Sequence, residues 1–106
     1  MSLVNKKGKS ISEYIKICHQ IAREKGWWDF ERKDAELIAL MHSELSEALE
    51  ALRCGESLER VGEELADCII RIFDYCGWKK INLEEAIDKK IEKNKQRPYR
   101  HGNKKF

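Results

Sequence analysis

A chain of 106 residues holds one compact domain and is too short for two ordinary ones. Hydrophobic residues make up 42% and charged residues 38%, which suits a helical protein with a modest core and a heavily charged surface. No apolar run approaches the roughly 20 residues that cross a bilayer, and residues 1–10, MSLVNKKGKS, lack a signal-peptide core, so a cytoplasmic protein with no membrane partner is expected.

The net charge of +2 hides an uneven distribution. All 19 acids lie between Glu13 and Glu92, while both ends of the chain carry only basic charge. An acidic body with basic ends leaves two routes open. The ends could bind nucleic acid, or the body could hold a metal with a phosphate ligand near the tail. The acidic middle makes the nucleic-acid route the less attractive one. Cys18, Cys54, Cys68 and Cys76 show no Cys-x-x-Cys spacing and read as free, mostly buried thiols.

Ser10 and Glu13 stand at capping-box spacing, which predicts a first helix from there. Ile11, Tyr14, Ile15, Cys18, Ile21 and Ala22 give it an apolar stripe, and Gly26 ends it. WWDFERK then reads as a connection. A second helix is expected from about Asp34 to Cys54, with Gly55 as its stop. Ser57 caps a third, which ends near Gly77. Asn82 and Glu85 repeat the capping pattern before a fourth, striped by Leu83, Ala86, Ile87 and Ile91 and ended by Pro98. No strand alternation occurs. The expected fold is all-α: a four-helix antiparallel bundle over residues 10–98, flanked by a basic arm (1–9) and a basic tail (99–106). A bundle this small with such broad stripes is expected to assemble into a homodimer or homotetramer.

The second helix poses a puzzle. Its apolar arc contains Leu37, Ile38, Leu40, Met41, Leu45, Ala48, Leu49, Ala51 and Leu52, yet Glu44 falls inside that arc and Glu47 at its edge. The third helix carries Glu63-Glu64-x-x-Asp67. Residues three apart on a helix are surface neighbours, so each pair can aim two carboxylates at one point. Packed side by side, the two helices would gather Glu44, Glu47, Glu64 and Asp67. Four such charges repel unless a divalent cation joins them, and Mg²⁺ or Mn²⁺ favours this oxygen-rich set. The bland alternative is a solvated face with pairs such as Arg60–Glu64 and Asp67–Arg71. No glutamate has a histidine three residues later, which argues against a ferritin-like di-iron bundle.

The two motifs, SELSE (residues 43–47) and EELAD (residues 63–67), resemble those of the MazG-like nucleotide pyrophosphohydrolases, the all-α NTP pyrophosphatase group. The family pattern is roughly Glu-Glu-x-x-Glu followed by Glu-Glu-x-x-Asp; here Ser43 replaces the leading acid. The resemblance implies that Glu44, Glu47, Glu64 and Asp67 ligate Mg²⁺. It also implies hydrolysis of nucleoside triphosphates between the α and β phosphates, giving a monophosphate and pyrophosphate, with a housecleaning role in the nucleotide pool. Glu47 is the candidate general base. Lys93 and Arg97, four apart at the end of the fourth helix, with Asn94 beside them, are candidates for the phosphates. Trp27 and Trp28 offer faces to a nucleobase, Trp28 being assigned to substrate; His19 and His42 are lesser candidates. The rival readings are a non-catalytic helical interaction module and a nucleic-acid-binding protein led by its basic ends.

Overall fold

The computed structural model describes residues 8–105, with the side chains of residues 101 and 103 excepted. Lys6 and Lys7 of the basic arm lie outside the described residues. Five helices follow one another: α1 (Ile11–Glu24), α2 (Asp34–Arg53), α3 (Leu58–Lys79), α4 (Leu83–Lys95) and a single turn, α5 (Arg100–Asn103). No strand occurs among the described residues, so the fold class is all-α with four principal helices.

Local chemistry sets most of the ends. At α1 the Ser10 hydroxyl accepts from the Glu13 amide and the Glu13 carboxylate accepts from the Ser10 amide, closing both halves of the capping box. Gly26, at φ 87°, ends α1. Its amide reaches the Arg23 carbonyl while the Trp27 amide reaches that of Ala22, a Schellman pair. Gly55 ends α2 the same way, through Gly55 to Leu52 and Glu56 to Ala51. Ser57 and Asn82 cap α3 and α4 by accepting from the Arg60 and Glu85 amides.

Helix α3 is the centre of the molecule, with α1 on one side and α2 on the other. It runs two residues past Gly77, to Lys79. Gly77 serves packing rather than termination: a Cβ there would lie 2.6 Å from the Cβ of His19, so only glycine lets α1 approach this closely. The α2–α3 hairpin closes on Ala48, Ala51 and Val61, small residues that bring the two backbones near. Two turns beyond, the Cys68 thiol donates to the Met41 carbonyl at 3.5 Å and ties the helices together beside the paired acids. The four thiols are free; Cys68 and Cys76 are buried, Cys18 is half-buried and Cys54 is exposed.

The core is thin. Among the described residues no side chain is fully buried. The apolar arc of α2 is wider than α3 covers: Leu37, Ala48 and Ala51 are buried, while Ile38, Leu45, Leu49 and Leu52 stay exposed. Helix α4 buries nothing and rests against α1, where the Ser12 amide donates to the Glu84 carboxylate at 3.1 Å. The radius of gyration, 16.6 Å, exceeds the ~13 Å of a compact domain this long. No helix among the described residues is long and apolar enough to cross a membrane.

Candidate metal and nucleotide site

Helices α2 and α3 run side by side and bring three of the four expected acids together. One carboxylate oxygen each from Glu44, Glu64 and Asp67 lies within 4.8 Å of the other two. Glu64 is buried, Glu44 half-buried and Asp67 exposed, so the trio opens from the hairpin interior toward solvent. Six-coordinate Mg²⁺ spaces its oxygen ligands about 3–4 Å apart, and small side-chain rotations would bring the trio to that spacing. The donor set therefore fits a hard divalent ion. Glu47, one turn along α2 from Glu44, is exposed and stands outside the trio, though its charge reaches Glu64.

Arginines hold these acids apart from a bare-charge clash. Arg60 Nη2 lies 2.7 Å from Glu64, with Glu63 at 3.3 Å and Glu56 at 3.6 Å from the same guanidinium. Arg71 Nε lies 3.5 Å from Glu44 across the helix pair, rather than pairing with Asp67 on its own helix. Burial pushes the Glu64 carboxyl above the usual glutamate range. Arg60 pulls it back, and the charges of Asp67 and Glu47, with a hydrogen bond to Asp67, add to the rise.

Two of the trio, Glu44 and Asp67, line a cleft of about 380 Å³ between α1, α2, α3 and the connection after α1. Glu44, Asp67 and Arg71 line its acidic end; Trp27, Arg32 and Asp74 also line it. This volume suits a small molecule. A larger groove of about 780 Å³ lies between α1 and the end of α3, but Glu24 is its one acid, so it offers no set of carboxylates for a metal.

The tryptophans divide their work. Trp27 is half-exposed on the cleft wall, with Arg71 and its ring 6.0 Å apart. Trp28 lies 4.8 Å from Trp78 between ring centres, meets His19 edge-on, and donates its indole N–H to Asp74 at 2.9 Å. His19 Nδ1 sits 2.8 Å from the same Asp74 oxygen. His42 is exposed on α2. Lys93 and Asn94 are exposed near the end of α4, with Arg97 just beyond it, and none of the three lines the acidic cleft.

Sequence reasoning did not single out Arg71, Asp74 or Arg32 for the site. Arg71 and Asp74 follow Asp67 by four and seven residues on α3, so helical spacing from Asp67 carried that signal. Arg32 lies in the aperiodic connection, where spacing carries none.

The pattern of the MazG nucleotide pyrophosphohydrolase domain matches residues 32–101, about two-thirds of the chain. The chain belongs to the MazG family. The MazG match spans α2 to α4 and both acidic motifs, and makes this chain a nucleotide pyrophosphohydrolase. It begins at Arg32, so α1 and the two tryptophans of the connection, Trp27 and Trp28, precede it. Comparison with characterised proteins and with solved structures found no match.

Proposed function

We propose that this MazG domain hydrolyses nucleoside triphosphates between the α and β phosphates in a Mg²⁺-dependent reaction, with Mn²⁺ as the alternative ion. The observation that carries the reading is the convergence of Glu44, Glu64 and Asp67, two of which, Glu44 and Asp67, line a cleft of about 380 Å³. These three hold the ion, and Glu47 completes the set from the rim. When bound, the ion offsets triphosphate charge and acidifies a water. Glu47, exposed beside the trio, takes the proton of the attacking water as general base. Arg71 exchanges its contact with Glu44 for a phosphate oxygen. Trp28 acts at one remove, by fixing Asp74 on the cleft wall.

Assembly belongs to the same reading. Ile38, Leu45, Leu49 and Leu52 of α2 are uncovered, as are Leu58, Leu65 and Ile69 of α3, which favours a homodimer or homotetramer closed through the hairpin. Lys93, Asn94 and Arg97 then bind phosphate in a neighbouring subunit's cleft, since they do not line their own. The cellular role is removal of non-standard or excess nucleotides in the cytoplasm. A panel of nucleoside triphosphates with Mg²⁺, scored for monophosphate and pyrophosphate, tests the reading. Turnover that depends on the ion supports it. Release of orthophosphate instead, or full activity in chelator, overturns it.

A further inference from the structure

We infer that Asp74 reads the base of the nucleotide and favours cytosine and adenine, which carry an exocyclic amine where uracil, thymine and hypoxanthine carry a carbonyl. The inference rests on the proposed reaction at the acidic cleft and deepens it. Asp67, Arg71 and Asp74 occupy one face of α3 and all line that cleft. Seven residues of helix place Asp74 about 10 Å along the axis from Asp67. With the reacting phosphates at the acids, that separation corresponds to the sugar and base. Trp27, whose ring lies 6.0 Å from Arg71, supplies an aromatic face on the wall of the same cleft.

The Asp74 carboxylate is held in place. Its Oδ1 accepts from Trp28 Nε1 at 2.9 Å and lies 2.8 Å from His19 Nδ1. No partner for Oδ2 occurs among the described residues. The side chain is 19% exposed, so the group is largely withdrawn from water and still reachable by a ligand. A fixed carboxylate is acceptor-only. It meets an amine with a charge-assisted bond and a carbonyl oxygen with repulsion. One such bond corresponds to about ten- to a hundredfold in kcat/KM.

The test compares matched pairs in the full-length protein: CTP with UTP, and ATP with ITP, in ribose and deoxyribose forms. The amino member of each pair is expected to react at least about tenfold better, mainly through KM. The triphosphate of pyrimidin-2-one riboside, which is cytidine without its amine, is expected to fall toward UTP. Asp74→Asn keeps an oxygen for Trp28 and His19 and puts an amide donor where the free acceptor stood. It is expected to shift the preference toward uracil. Equal kcat/KM within each pair, or an unchanged preference in Asp74→Asn, overturns the inference while the reaction stands. Failure of every nucleotide to give pyrophosphate overturns the reaction itself, and the inference with it.

Discussion

The α2–α3 hairpin and α4 are both amphipathic and both heavily charged, yet only the hairpin buries side chains within its own chain. Ala48, Ala51 and Val61 let α2 and α3 close, and that closeness brings Glu44 to Glu64 and Asp67. Helix α4 has a comparable stripe in Leu83, Ile87 and Ile91 but buries no residue and meets only α1 to any extent. The difference teaches that apolar periodicity specifies a helix, while small residues at the crossing specify what that helix can bring together. It also separates an acidic cluster built by two packed helices from a basic helix end that stands outside the acidic cleft.

The sharpest way to break this comparison is to disarm each region in turn. Glu64→Gln or Asp67→Asn is expected to lower kcat on the order of a hundredfold or more, measured as pyrophosphate release. Arg97→Ala is expected to act mainly on KM, by about tenfold. Equal losses in both would erase the distinction. Next, Leu45→Glu with Leu49→Glu places charge on the uncovered face of α2. Light scattering is expected to show the assembly falling to monomers while far-UV circular dichroism keeps its helical signal.

Mg²⁺ at a hundred times its dissociation constant is expected to stabilise the folded protein by about 2.7 kcal/mol, read as a rise in Tm that Glu64→Gln abolishes. The ion-free protein sharpens this further. Glu64 is raised in the native state, so the stability it contributes is complete below the ordinary glutamate value and is lost as pH climbs through the raised one. The ion favours the charged carboxylate, and the Tm gain is therefore expected to grow over that range. Gly77→Ala, which forces a methyl against His19, is expected to cost about 1–3 kcal/mol in denaturant unfolding.

The smallest effect is at Asp34. Its carboxyl is held below the usual range, first by the Tyr75 hydroxyl and then by Lys79. That contribution is complete above the ordinary aspartate value and is lost as pH falls through the depressed native one. Asp34→Asn is expected to flatten the acid limb of the stability profile slightly.

Helix ends were largely legible in the sequence because each has a chemical signature within four residues. Ser10 with Glu13, Gly55, and Asn82 with Glu85 all act as their spacing implies. The acidic motifs were legible for the same reason: Glu64 and Asp67 are neighbours on one helix whatever the tertiary fold. Features that depend on two elements meeting were not. Gly77 looked like a stop because its partner, His19, lies 58 positions away in sequence and only the packed structure joins them. Nothing local distinguishes Trp27 from Trp28, and the crossing of α1 over α3 sends one to the cleft wall and the other onto Trp78. Asp74 reads as an ordinary surface acid until both of its long-range donors are in place.

The arginine beside the buried glutamate carries one more consequence. Because Arg60 already balances Glu64, an ion held there as proposed would swap one positive partner for another rather than fill a void. Such a swap would weaken the hold on an incoming ion, and would leave the buried glutamate paired when divalent ions are scarce. An ion that arrives already carried by a polyphosphate brings its own anchoring contacts to the exchange, so cargo and ion are best admitted together.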